Sequence, residues 1–333
     1  MAISKIINYY GEKHRPYMGG LVNHLPMGQL AIYKMSNDLD KVNYFTEAFL
    51  ERNHIDQVTD TYPRIDGLEE TLGKRELYES CLELFSKEIN QENLDEYMNH
   101  ILNKYILGLS SGLFHTTIRL AYAIEGVRLD SDLINEVERG LAYYVTAYRE
   151  SKLFTRAIQG SDIKEEMTNL VNDEEIRNIL ESQSSLGKKI RALYGEKDFL
   201  DKGFIIEGSQ EDKIKALLNL LVPAYYFSGN IVVLHCITAL HAVVVLRDYF
   251  DDFSRALDIL TTSILTHLLT ISYHDYIREI GEVAHVSWEG VLSIAAEKTD
   301  VHTVKLAYSG FELSRLFGAH GLKEIAIKRI RSS

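Results

Sequence analysis

Residues Ile231-Val232-Val233-Leu234-His235-Cys236-Ile237-Thr238-Ala239-Leu240-His241-Ala242-Val243-Val244-Val245-Leu246 form 16 consecutive positions without a charge. A membrane span needs roughly 20 mostly apolar residues, and this run is shorter and carries His235, Thr238 and His241. A helix that is apolar on all sides belongs in a protein core. The run therefore predicts a buried central helix whose few polar residues have a reason to be there. Upstream, the uncharged stretch reaches back to Ala216, and breaks are expected at Pro223 and at Ser228-Gly229-Asn230.

Outward from this helix, nearly every segment reads with helical rather than strand period. Asp38 to Arg52 sets Leu39, Val42, Phe45, Phe49 and Leu50 on one stripe. Leu77, Cys81, Leu84 and Phe85 form another, and Leu94, Tyr97, Met98, Ile101, Leu102 and Tyr105 a third. Asp130-Ser131-Asp132 is a start signal for Leu133 to Tyr148, and Asn172 with Glu175 resembles a capping box. Only short pieces such as Phe204-Ile205-Ile206 suit a strand. Proline occurs four times in 333 residues, which argues against disordered linkers and turn-dense β-sandwiches. The expectation is an all-α fold, one compact multi-helical domain over residues 1–333. Within it, an N-terminal half (1–158) and a C-terminal half (212–333) flank a polar excursion (159–211).

Composition narrows the function. A net charge of −12 argues against nucleic acid or an anionic membrane as the main partner. Met1 to Arg15 lacks the continuous apolar core of a signal peptide. The two cysteines, Cys81 and Cys236, form no C-x-x-C pair, so a reducing cytoplasm is expected rather than a disulfide framework.

The 12 histidines separate by neighbourhood. His54, His100, His274 and His320 sit beside polar or charged residues, as on a solvated face. His24, His115, His235 and His241 lie in apolar helical settings, and His302 sits in Asp300-Val301-His302-Thr303-Val304-Lys305. A single histidine of this kind is ordinarily a hydrogen-bonded core residue. Several together suit a metal centre, because imidazole in an apolar setting ligates iron, zinc or copper. Gly108 and Gly112 before His115, and Ala239 and Ala242 after His235, leave room beside an imidazole or simply allow close helix packing. His302 and Lys305 are three apart, roughly 60° around a helix and about 4.5 Å along it, so both can serve one site. His235 and His241 are six apart, about 9 Å along, which makes His241 the weaker candidate.

A rival metal reading is di-iron, since Glu51-Arg52-Asn53-His54 and Glu282-Val283-Ala284-His285 both match Glu-x-x-His and Glu125 offers a further carboxylate. The tetrapeptide is common by chance, and Glu51 to His54 lies at a charged helix end. There is no G-x-S-x-G, no phosphate-binding G-x-x-x-x-G-K and no H-E-x-x-H. No convincing dinucleotide fingerprint is present either, so dependence on NADPH is not legible.

At these residues the chain resembles the questin oxidase-like proteins. Asn23-His24-Leu25-Pro26-Met27 is similar to that family's N-terminal N-H motif, followed by a helix ending near Tyr33. Gly112-Leu113-Phe114-His115 through Glu125 resembles its F-H-x-x-I-x-L-x-Y-x-x-E segment. Leu234-His235-Cys236-Ile237-Thr238 resembles its H-x-V-T element, and His302-Thr303-Val304-Lys305-Leu306 its H-x-x-K-L element. The matches fall in family order from residue 23 to about 310. The resemblance implies a helical oxygenase that opens or cleaves an anthraquinone-like ring with O₂. It further implies a mononuclear non-haem iron held by His24, His115, His235 and His302, with Lys305 carboxylated on its amine. His241 is kept in reserve, as a replacement for one of these ligands or as a group behind them. The chain is shorter than the fungal enzymes, which leaves substrate identity open.

Two functions stand at this point. One is an iron oxygenase acting on an aromatic or polyketide-like small molecule, with Tyr225, Tyr226, Phe227 and Trp288 as candidate pocket walls. The other is a non-catalytic helical protein that binds a small molecule in the same pocket. A zinc hydrolase with a carboxylated lysine is a distant third, because the chain lacks the strands of an α/β barrel.

Overall fold

The computed structural model describes residues 2–158, 162–281 and 286–333. Among them the chain forms sixteen α-helices. The first seven are α1 (Ile3–Gly11), α2 (Leu25–Ser36), α3 (Leu39–Arg52), α4 (Tyr78–Glu88), α5 (Leu94–Lys104), α6 (His115–Leu129) and α7 (Ile134–Thr146). Then come α8 (Ile163–Asn172), α9 (Glu174–Glu181), α10 (Leu186–Gly195), α11 (Gln210–Ser228) and α12 (Ile231–Val245). The last four are α13 (Phe253–Leu269), α14 (Trp288–Ala295), α15 (Val301–Phe317) and α16 (Leu322–Ser332). The fold is all-α, and none of these helices is long and apolar enough to cross a membrane.

The uncharged run is indeed the centre. Every residue from Val232 to Val244 of α12 is buried. Asn230 caps its start, accepting from the Val232 amide at 2.8 Å. Around it, α12 packs on α6 and α15, α15 packs on α2, and α2 packs on α6. These four helices make a closed ring of contacts, and α6 is buried from His115 to Gly126. A buried ion pair, Arg119 Nε donating to Glu136 Oε1 at 2.8 Å, ties α6 to α7 behind the ring.

Three local expectations need correction. Pro223 does not break a helix: α11 runs through it to Ser228. A proline removes one amide and crowds the carbonyl four residues back, and here the buried row from Leu217 to Tyr225 holds the helix regardless. The break comes at Gly229, whose φ of 59° is left-handed and free of Cβ strain in glycine. The cap of α9 is Asp173 rather than Asn172, because α8 takes Asn172 as its last residue and Asp173 accepts from the Ile176 amide. Phe204 to Ile206 contributes only an isolated bridge, Ile158 with Ile206.

The one sheet among the described residues is a small hairpin, β1 (Tyr17–Met18) with β2 (Leu21–Val22). Two-residue strands leave almost no periodic signal, yet this hairpin delivers the chain to His24. Helices α8 to α10, within the polar excursion, bury Met167, Leu170, Ile176 and Leu193 in the same hydrophobic core as α12.

Candidate metal centre

The four helices of the ring run in the same sense, and their N-terminal ends converge. His24 is the residue before α2, His115 opens α6, His302 is the second residue of α15, and His235 lies in the first turns of α12. Their rings gather closely: His115 and His235 lie 4.3 Å apart between centroids with tilted planes, and three pairs stand face to edge, His24 and His115 at 4.6 Å, His24 and His302 at 5.0 Å, and His235 and His302 at 5.2 Å. Single ring nitrogens of His24, His235 and His302 all lie within 4.8 Å of one another. His24 Nε2 and His115 Nε2 approach to 2.7 Å.

Backbone carbonyls decide how these rings are protonated. His24 Nδ1 meets the Val22 carbonyl at 2.6 Å, His115 Nδ1 that of Gly112 at 2.5 Å, and His235 Nδ1 that of Ile231 at 2.8 Å. A carbonyl only accepts, so each Nδ1 donates and each Nε2 presents a lone pair to the centre. This is how proteins orient metal-binding imidazoles. His302 differs, with its Nδ1 facing Asp300 Oδ1 at 3.7 Å. His235 Nε2 is buried and has no hydrogen-bond partner.

Lys305 completes the cluster. It is fully buried, and its Nζ has no partner either. Burial lowers its pKa to about 7. Burial also holds His24, His115 and His235 well below the ordinary histidine range, and the Lys305 charge opposes protonation of all three. His302 is lowered as well, by burial, with the Asp300 carboxylate pulling the other way. The cluster thus collects neutral nitrogen lone pairs under the positive ends of four helices.

One of these rings is aimed by an unusual turn. Gly112, Leu113 and Phe114 all have left-handed backbones, with φ of 59°, 56° and 66°. For residues with a Cβ this costs about 1–2 kcal/mol each. Phe114 is fully buried against the ring of His267, 4.7 Å away, which holds the turn in place. Gly108 and Gly112 therefore precede α6 rather than sharing a helical face with His115. The space at Gly108 is filled by the Tyr148 ring, which is close packing.

The sequence profile of the questin oxidase-like family matches residues 21–309. The chain belongs to this family. No curated protein matches it. The match runs from β2 to the middle of α15, and it encloses all four clustered histidines and Lys305. The questin oxidase-like description is that of an oxidase, which supports oxidoreductase chemistry in this fold.

The other sequence candidates go elsewhere. In this questin oxidase-like chain His241 lies away from the cluster, edge-on to Tyr308 at 5.6 Å, as its six-residue offset from His235 requires. Glu125 binds Lys34 and Tyr308. His54 and Glu51 are exposed at the end of α3, and Glu282 to His285 lie outside the described residues. His100, His274 and His320 are exposed. Trp288 packs on Phe311 at 5.7 Å and donates to Ser314 Oγ, on a different face of α15 from Lys305. Tyr225 is buried beside Arg329, while Tyr226 and Phe227 carry Lys328 and Arg278 over their rings.

Two contributors were not singled out from sequence. His267 is buried, donates through Nδ1 to the Ser263 carbonyl, and has its pKa lowered to about 4 by burial. Its setting in the apolar Ile264-Leu265-Thr266-His267-Leu268 was the available signal. Arg329 approaches Asp300 from the last helix, and an arginine in a basic terminal helix gives no such hint.

Proposed function

We propose that the chain is an oxygenase that uses a mononuclear non-haem iron and O₂ to oxidise or cleave a ring of an aromatic or polyketide-like small molecule. A dioxygenase outcome would place both oxygen atoms of O₂ in the product, whereas a Baeyer–Villiger outcome would place one there and need a two-electron reductant such as NADPH to take the other to water. The observation that carries this reading is the 2.7 Å approach of His24 Nε2 to His115 Nε2. Both Nδ1 atoms are committed as donors, so two lone pairs face each other without a proton between them. That contact is repulsive unless a cation serves both, and burial together with Lys305 opposes protonating either ring. A first-row metal ion suits the donor set, and the oxidase description of the family favours iron over zinc.

Bound iron would supply the redox chemistry that activates O₂. His24, His115, His235 and His302 would hold it through Nε2, with ring orientations fixed by Val22, Gly112, Ile231 and Asp300. All four imidazoles are neutral and the helix ends are partly positive, so these ligands bring no anion to a divalent ion. Lys305 provides one when its free amine adds to CO₂. The nitrogen lone pair forms the new N–C bond, one proton leaves, and an anionic carbamate results. A lysine lowered to about 7 by burial has that free amine available near neutrality. His302, with 24 % of its side chain exposed, marks the open side from which O₂ and substrate would reach the centre. No residue beyond these five receives a catalytic role, and two buried unpaired thiols suit a reducing cytoplasm.

Elemental analysis of protein purified without chelator, and again after anaerobic Fe(II) reconstitution, tests the reading. About one iron per chain, followed by O₂ uptake with a hydroxyanthraquinone, is expected. A chain that takes up no metal after reconstitution would be a binding protein instead.

A further inference from the structure

His302 is the exception among the four clustered histidines. The other three give their Nδ1 protons to backbone carbonyls, which are neutral and held by helix or hairpin geometry. His302 alone faces a carboxylate, and that carboxylate is held in turn. Asp300 Oδ2 accepts from the Thr303 amide at 3.1 Å, from Thr303 Oγ1 at 2.6 Å and from Arg329 Nη2 at 2.7 Å. Arg329 Nε adds a contact at 3.2 Å. With Oδ2 so occupied, Oδ1 is left toward His302 Nδ1, at 3.7 Å. Arg329 stands on α16, twenty residues beyond the last one matched by the family profile.

We infer that Asp300 and Arg329 are positioning residues for His302: Arg329 pins one carboxylate oxygen, so that the other, 3.7 Å from Nδ1, orients the His302 ring through its charge and makes its Nε2 the most electron-rich of the four imidazole donors. A carboxylate behind a ligating imidazole fixes its tautomer and raises its basicity, and its loss ordinarily lowers metal affinity about 10–100-fold. Asp300 also caps α15, and a purely structural role would end there. The two roles separate chemically. Asparagine caps a helix as well as aspartate does, but it brings no negative charge to Nδ1. The inference extends the site past the matched region, to a helix that supplies no ligand of its own. It rests on the proposed metal centre.

The test uses Co(II) as the probe on the full-length metal-free chain, with affinity from chelator competition and the ligand field from visible absorption. Asp300→Asn is expected to weaken Co(II) binding about tenfold and to shift the absorption bands; loss of the Arg329 ion pair lowers the metal-free melting temperature, so affinity is read well below it. Arg329→Gln is expected to act in the same direction, and Arg329→Lys to recover part of the loss. Wild-type affinity and spectrum in both Asp300→Asn and Arg329→Gln would overturn the inference while leaving the metal centre standing. No Co(II) binding by the unaltered chain would instead remove the metal reading, and this inference with it. Should Asp300→Asn fold poorly, the Arg329 pair decides alone, because arginine and lysine there differ in the grip on Oδ2 and not in charge.

Discussion

His235 and His241 share α12, are equally buried at 2 % exposure, and keep opposite company. His235 faces three imidazoles and an unpartnered lysine. Six residues on, His241 faces Tyr308, Glu125 and Glu312, with Lys34 and Arg315 behind them. The same four helices build both layers: α2 gives His24 and then Lys34, α6 gives His115 and then Glu125, and α15 gives Lys305 and then Tyr308. In the second layer the charges are already balanced. Lys34 Nζ and Tyr308 OH both donate to Glu125 Oε1, which leaves Glu125 Oε2 and the hydroxyls of Tyr122 and Ser309 without partners. In the first layer the unpartnered groups are Lewis bases, and no carboxylate lies among them. A protein settles buried polar groups internally where it needs only a fold. It leaves a set of them open where a ligand is to complete them.

The contrast can be broken most forcefully at the histidines. Alanine at His24, His115 or His235 should lower Fe(II) or Co(II) affinity by about two orders of magnitude or more. His54→Ala, altering an exposed ring at the end of α3, should leave metal content unchanged. Elemental analysis and chelator competition measure both, and retention of metal by His235→Ala would erase the distinction between the layers.

The second layer should respond in stability instead. Glu125→Ala removes the partner of Lys34 and of the buried Tyr308 hydroxyl. A loss of about 3 kcal/mol is expected by urea denaturation, with metal stoichiometry unchanged. Loss of metal in that variant would mean that the layers act as one site.

The finest separation is in proton affinity. Burial lowers the pKa of His24, His115, His235, His241 and His267 in the folded chain. Below about pH 6.5 the unfolded chain binds protons on these imidazoles that the folded one refuses, so the histidines' contribution to stability is complete above that value and is lost as pH drops. For His267, lowered to about 4, the loss is about 1 kcal/mol by pH 5.5. Metal-free protein should therefore show a steep fall in urea midpoint between pH 7 and about pH 5. Within that fall His241, with two glutamates near it, should take up its proton at higher pH than His235, as NMR of the imidazole resonances would show. The reverse order would mean that the carboxylates of the second layer do not govern His241.

Much of this was legible in the sequence. Helical period exposed α3, α5 and α7, and the uncharged run exposed α12, because burial leaves its mark on composition. Five residues of the cluster stood out as polar groups in apolar surroundings or in spaced pairs. What escaped was whatever depends on partners distant along the chain. Glu125 and Tyr308 are 183 positions apart, and Asp300 meets Arg329 only because α16 folds back on α15. The place of His115 also escaped, since Gly112 to Phe114 read as helix interior while the structure puts His115 at a helix start.

The left-handed turn at Gly112-Leu113-Phe114 has a bearing on engineering. Phe114 is locked in the core, but Leu113 is half-buried, so glycine or asparagine there would relax the backbone without emptying a cavity. A screen for heat-resistant variants would reach this position early, because the gain needs a single exchange. Each such hit would also loosen the turn that aims His115. Thermostability selection on this chain should accordingly be paired with selection for metal retention, so that a sturdier scaffold is not obtained by letting the site drift open.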